Sequence, residues 1–337
     1  MSRGLRAAGF VLALAFLVLT FVNASWLAEP PRGYVKVTAL KGAHQQGTGP
    51  CPAAAMEPPL HDYLENTLSG MVHAGQLGAQ MVGVELQQAR DGHLVAFADE
   101  PLECRTNGRG LLSKYTLKEV KALDAGYGYT SDNKRSFPFR GRAVGAIPSA
   151  EEVLQALPDK PLLFDLPKDT RAALQLVATI RAMGRDPAAI GDGFRGAGVD
   201  LAPIRAAFPG AWTWDRAGAE ACTSAYRWQG WLGLTPEACR NGTLVVPLSG
   251  RWAFAGWPDR LQARMKAVGA RVVVEAQPGK GLDLPEQLGE VPASFTGHVL
   301  AEDIWTIGPA LRPAYNHRTP REEQELAAAL EARRAKR

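Results

Sequence analysis

Residues 147–183 read IPSAEEVLQALPDKPLLFDLPKDTRAALQLVATIRAM, and this stretch decides the fold. Ser149 stands three residues ahead of Glu152, the spacing at which a hydroxyl and a carboxylate cap each other at a helix start. That spacing predicts a helix over Ala150–Ala156. Pro161–Leu166 (PLLFDL) follows, short and apolar on both faces, as a strand covered on both sides requires. Thr170–Met183 returns to helical period. The order is therefore helix, buried strand, helix.

The same alternation extends outward in both directions. Apolar runs at Val35–Leu40, Met81–Leu86, Leu94–Ala98, Leu244–Leu248, Arg271–Glu275 and His298–Ala301 read as strands, with weaker candidates near Ile190 and Trp212. Thr67–Leu77, Leu117–Leu123, Pro203–Ala207 and Asp259–Val268 read as helices, and Thr116 with Glu119 repeats the capping spacing. Strand–helix alternation argues for a parallel sheet. Seven to nine strands suit a closed (β/α)₈ TIM barrel better than an open sheet. Residues 29–319 are assigned to this barrel and 320–337, rich in Glu, Ala and Arg, to a solvated terminal helix or charged tail.

At 337 residues the chain holds one large or two medium domains, and 46% apolar against 21% charged residues makes it globular rather than disordered. The net charge of +4 is too small, and too concentrated at the termini, for a nucleic-acid-binding face. Arg3 and Arg6 precede an uncharged stretch, Ala7 to Ala28, with an apolar core GFVLALAFLVLTFV. Residues 1–28 thus read as a signal peptide or, preferably, an uncleaved signal anchor. As a membrane helix it would keep the two arginines in the cytoplasm and the body in the periplasm or another extracytoplasmic space.

Export makes the four cysteines meaningful, since disulfides persist in oxidising compartments. Cys51–Cys104 and Cys222–Cys239 are the simplest pairing, with free buried thiols as the alternative. Trp228, Trp231, Trp252 and Trp257 cluster with Tyr226 and Phe254 near the second pair. They read either as packing around a bridge or as an aromatic shelf against a membrane. The Gly191–Gly198 segment lacks the Lys and Ser/Thr of a phosphate loop and reads as a barrel loop.

In a barrel, chemistry collects at the C-terminal strand ends. His44, Glu85, Asp99, Asp165 and Glu275 satisfy that filter and form a candidate cation site, the alternative being that each acid caps a helix or pairs with a basic neighbour.

The region Ala43–Leu154 resembles the glycerophosphodiester phosphodiesterase family. Its residues include Leu64-Glu65-Asn66-Thr67-Leu68, Asp91-Gly92, Leu102–Gly108, Thr116–Gly126 (TLKEVKALDAG) and Ile147–Leu154 (IPSAEEVL). Tyr226–Pro236, Ala238–Arg240 and Gly256–Pro258 resemble an exported bacterial subgroup. The resemblance implies a TIM barrel and hydrolysis of a glycerophosphodiester to glycerol phosphate and an alcohol. It also implies two acid–base histidines, an arginine phosphate clamp and a divalent cation, Mg²⁺ or Ca²⁺, on three carboxylates.

The family's chemical positions are largely replaced. His44 stands for the first histidine and Gln45 for the arginine; Gly83 and Glu85 replace the Glu-x-Asp pair; Ala98 replaces the second histidine, with Asp99 after it. Asp165 takes the third acid's place, and the phosphate-binding lysine falls on Pro167, with Lys168 next to it. The expectation is a catalytically degenerate relative that binds a glycerophosphodiester, a lipid headgroup or a protein. The alternative is an active, metal-dependent phosphodiesterase rewired around His44, Glu85, Asp99 and Asp165. Gln45 and Lys168 are the expected substrate contacts and Glu85, Asp165 and Asp99 the expected metal ligands, unless no metal is bound.

Overall fold

The computed structural model describes residues 3–98 and 101–336, with side chains from residue 8 onward. In chain order the elements are α1 (Arg3–Asn23), β1 (Lys36–Ala39), α2 (Leu68–Gln76), β2 (Met81–Gln88), β3 (Leu94–Ala96), α3 (Leu117–Lys121) and α4 (Ala150–Ala156). Then come β4 (Leu162–Asp165), α5 (Thr170–Ala182), α6 (Pro187–Ile190), β5 (Gly193–Gly196), α7 (Ala202–Ala207), β6 (Trp212–Asp215) and α8 (Arg216–Gln229). The chain ends with β7 (Thr243–Pro247), α9 (Asp259–Ala267), β8 (Arg271–Glu275), β9 (His298–Ala301), α10 (Ile304–Leu311) and α11 (Pro320–Arg334). Two compact units result. The larger comprises Val37–Trp214, Gly281–Leu288 and Leu300–Arg337; the smaller comprises Met1–Lys36, Asp215–Lys280 and Gly289–Val299.

In the larger unit β1, β2, β4 and β5 pair in parallel, with Ala39 opposite Val82, Glu85 opposite Asp165, and Asp165 opposite Arg195. The strand cores are fully buried, as the apolar runs require. β3 departs from the parallel expectation. It folds back on β2 as an antiparallel hairpin, Leu86 opposite Ala96, through the Asp91-Gly92 turn, where Gly92 has φ 90°. Both capping boxes form, at Thr116 with Glu119 and at Ser149 with Glu152. α5 buries Ala172, Ala173, Leu176, Val177 and Ile180.

A buried ion pair pins the α5–β5 connection. Arg185 Nε lies 2.7 Å from Asp192 Oδ2, and the guanidinium also donates to the carbonyls of Leu157, Pro158 and Lys160. The Cys51–Cys104 disulfide, with Cα atoms 5.5 Å apart, staples the loop after β1 to the segment after β3. Residues 320–334 form a terminal helix that is largely exposed but docked along one side: α11 buries Leu326, Leu330 and Arg333, and Arg333 binds Glu57 and Asp303 at 2.8 and 2.9 Å. Arg333 thus ties the last turn of the helix to two carboxylates.

In the smaller unit β7 and β8 pair in parallel, and His298 and Val299 of β9 continue the order. Cys222 on α8 is bonded to Cys239, and no described cysteine is free. The end of α1 is held here: Asn23 donates to the Trp231 carbonyl at 2.8 Å, and Arg264 donates to the Val22 carbonyl at 3.0 Å. The aromatic cluster divides. Tyr226 and Phe254 are buried and Trp257 packs on Phe295 with ring centres 5.3 Å apart, whereas Trp228 and Trp252 are 82% and 77% exposed. Phe10, Leu12, Phe16 and Phe21 of α1 are exposed as well. Among the described residues no helix is long and apolar enough to cross a membrane.

Candidate functional site

The site grows from the end of β1. Lys41 has φ 61° and Gly42 φ 77°, so the chain turns through two successive left-handed residues. At position 42 only glycine fits, because a Cβ there would lie 2.8 Å from the carbonyl carbon of Gly70. The Asn66 N–H donates to the Lys41 carbonyl and the Ala43 N–H to the Gly70 carbonyl, at 2.9 and 2.8 Å. This turn delivers His44 into a buried position, 5% exposed.

His44 Nδ1–H donates to the Gly42 carbonyl at 3.1 Å, since a carbonyl can only accept. That leaves Nε2, which lies 3.7 Å from Glu302 Oε1, just past β9. Burial opposes an imidazolium here, but the Glu302 hydrogen bond and charge, with the Glu65 charge, outweigh it and raise the His44 pKa. In return, burial pushes Glu302 upward while His44, Lys41 and Arg195 pull it further down, to about 2. Lys41 Nζ stands 3.9 Å from the same Glu302 oxygen.

The neighbouring acids are also engaged. Glu65 lies 2.7 Å from Arg105 Nε, both side chains 5% exposed. Asn66 brackets Glu85: its amide donates to Glu85 Oε2 at 2.9 Å and its oxygen accepts the Glu85 N–H at 3.1 Å. Asp165 Oδ2 accepts from Arg195 Nε at 3.1 Å and from a second guanidinium nitrogen.

The residues expected from the sequence are distributed as follows. His44, Glu85 and Asp165 lie in the larger unit, and Glu85 and Asp165 are register partners on β2 and β4. Asp99 lies outside the described residues. Gln45 is 7% exposed and turned into the fold, its amide donating to the carbonyls of His61 and Tyr63 at 2.7 and 2.9 Å. Its neighbour His61 is pushed down to about 4, chiefly by burial. Lys168 is exposed between β4 and α5. Glu275 belongs to the smaller unit, where it accepts the Gly279 N–H at 3.0 Å.

Sequence reasoning missed Lys41, Glu302, Glu65, Arg105 and Arg195. The strand-end filter would have found two of them, since Lys41 closely follows β1 and Glu302 immediately follows β9.

A divalent cation needs several oxygen ligands released from other partners. Here Glu85 is held by an amide, Asp165 by a guanidinium, and Gly83 has no side chain. Among the described residues no group of three His, Cys, Asp or Glu can hold a metal ion. The described residues do not fit the cation that the resemblance implies.

Comparison with known proteins agrees with the architecture. Residues 59–174 match the model of the glycerophosphoryl diester phosphodiesterase family. A glycerophosphodiester phosphodiesterase of Caldanaerobacter subterraneus is 35% identical over 102 residues, 30% of this chain and 38% of the relative. The chain thus spans about two-fifths of the curated relatives it matches, 38% and 43% for the two foremost. Among solved structures, the glycerophosphoryl diester phosphodiesterase domain of a Mycobacterium tuberculosis protein superposes with TM-score 0.60 at 16% identity, covering 83% of this chain and 99% of that one. An Oleispira antarctica phosphodiesterase in complex with the product sn-glycerol-3-phosphate gives TM-score 0.54 at 19% identity, covering 82% and 97%. The shared fold is the parallel (β/α)₈ barrel predicted by the alternation. Family model, curated relative and solved folds agree: residues 59–174 are similar to the glycerophosphoryl diester phosphodiesterase family, and the fold is the barrel of its solved members.

Proposed function

We propose that this protein is a glycerophosphodiester phosphodiesterase-like protein that binds a glycerophosphate-bearing ligand outside the cytoplasmic membrane without the family's full hydrolytic machinery. One observation carries the reading: every described acid of the site already has a partner. Glu302 has His44 and Lys41, Glu65 has Arg105, Asp165 has Arg195, and Glu85 has Asn66. Ala98 supplies no proton where the family has its second histidine. General acid–base groups contribute roughly 10²–10⁴-fold each, so such losses leave little of the family's rate.

The ligand class is supported by the sn-glycerol-3-phosphate held in the Oleispira antarctica structure. Arg195 and exposed Lys168 are the proposed donors to phosphate oxygens. Gln45 is not among them, because its amide is committed to backbone carbonyls. An extracytoplasmic site, with the N-terminal segment holding the body at the bilayer, is supported by the two disulfides and by the exposed apolar side chains of α1.

A second reading is hydrolysis by a rewired site around His44, Glu85, Asp99 and Asp165, and the raised pKa of His44 favours it. An imidazolium could protonate the departing alcohol oxygen as a water oxygen bonds to phosphorus and the P–O bond to the alcohol breaks, the proton released by that water restoring the imidazolium. The deciding experiment uses the full chain in non-ionic detergent. sn-Glycerol 3-phosphate is titrated calorimetrically, and glycerol phosphate release from glycerophosphodiesters is followed with Mg²⁺, Ca²⁺ or chelator. Saturable binding without turnover is expected. Turnover that disappears in His44→Ala transfers the conclusion to the second reading.

A further inference from the structure

The disagreement between this site and a divalent cation has a structural cause in Lys41. Its backbone is left-handed, a conformation that side-chain-bearing residues hold only where surrounding contacts impose it. The contact that imposes it is the Asn66 N–H on the Lys41 carbonyl, and the same Asn66 holds Glu85 by side chain and backbone. One short connection thus sets Lys41, Glu65 and Glu85 against each other, while Glu302 arrives from the end of β9 with an oxygen 3.9 Å from Nζ. Burial works against the ammonium, yet the charges of Glu65, Glu85 and Glu302 keep it protonated.

We propose that the Lys41 ammonium is the site's resident cation: it neutralises the acids that would otherwise collect a divalent metal, and the protein neither requires nor takes up Mg²⁺ or Ca²⁺. A metal ion must be captured from solution and stripped of water, whereas the ammonium is covalently delivered by the turn at Gly42. Arg195 on Asp165 and Arg105 on Glu65 complete the same replacement of metal charge by side-chain charge. The inference concerns the same site as the ligand reading above but not its ligand.

The test is calorimetric titration of Mg²⁺ and of Ca²⁺ alone into the full chain in non-ionic detergent, beside Lys41→Gln and Lys41→Arg. The natural chain and Lys41→Arg should show no saturable binding up to about 1 mM, while Lys41→Gln gains a site in the range of roughly 10⁻⁴–10⁻³ M. Saturable binding by the natural chain in that range overturns the proposal. So does a Lys41→Gln protein with native circular dichroism that gains nothing. If Lys41→Gln does not fold, the melting temperature of the natural chain decides. Indifference to Mg²⁺, Ca²⁺ and chelator upholds the proposal, and a rise with either metal refutes it. Failure to bind sn-glycerol 3-phosphate would remove the ligand reading and leave this one standing.

Discussion

His44 and Glu302 face each other at 3.7 Å from opposite ends of the larger unit's sequence, with the other imidazole nitrogen tied to the Gly42 carbonyl. Because Nδ1 keeps its proton for that carbonyl, the neutral ring would turn a lone pair toward a carboxylate. Protonating Nε2 replaces that repulsion with an ion pair, which is why His44 is raised and Glu302 depressed.

Glu302→Gln should therefore drop the His44 pKa to or below its ordinary value of 6.5, since burial then acts with less opposition. NMR titration of the ring reads this directly, and an unmoved midpoint would exonerate Glu302. The stability conferred by the pair follows the same shifts. The His44 part is complete below pH 6.5 and fades as pH rises through its raised folded value. The Glu302 part is complete above pH 4.5 and fades as pH falls toward about 2. The difference between natural and Glu302→Gln proteins in urea should peak between these limits, at about 1 kcal/mol, because Glu302 is partly exposed.

Asp192→Ala should cost about 3–5 kcal/mol in chemical denaturation, since it leaves the buried Arg185 guanidinium without its carboxylate. Asp169→Ala is the contrast: its partner Arg171 is 82% exposed, and the loss of the pair itself should be under about 1 kcal/mol.

Each disulfide should stabilise according to the loop it closes. Replacing Cys222 and Cys239 by serine, 17 residues apart, should cost roughly 3 kcal/mol, and the same change at Cys51 and Cys104, 53 apart, roughly 4 kcal/mol. Denaturation of the two double variants checks the order; equal losses would show that loop length does not govern it.

The divided tryptophans predict divided phenotypes. In vesicles doped with brominated lipid, Trp228→Ala and Trp252→Ala should reduce tryptophan quenching without changing the melting temperature. Trp257→Ala should instead lower the melting temperature, because it removes the packing against Phe295. Quenching that is insensitive to Trp228 and Trp252 would remove the membrane-shelf reading.

Much of the fold was legible because it is written locally. The Ser149 and Thr116 caps, the Ala150–Ala156 helix and the strands Arg271–Glu275 and His298–Ala301 fall where hydrophobic period and capping chemistry put them. α8 was not among the predicted helices, and only the burial of Ala219, Cys222 and Tyr226 shows which side of it faces the fold. The candidate site was half legible. Strand ends announce His44, Glu85 and Asp165, but partners come from other strands, as Arg195 does for Asp165, or from residues far along the chain, as Glu302 does for His44. A linear pattern names the acids; it does not say which of them are already neutralised.

The seating of Arg333 bears on the order of events during synthesis. Glu57 and Asp303 receive their shared guanidinium only from the last turn of α11. While the chain is still being made, those two carboxylates are without that partner until residues 320–334 have been synthesised. The larger unit therefore completes this charge pairing late, once Glu57 and Asp303 are already in place, so a substitution at Arg333 would act on the docking of α11 and leave the earlier steps of folding untouched.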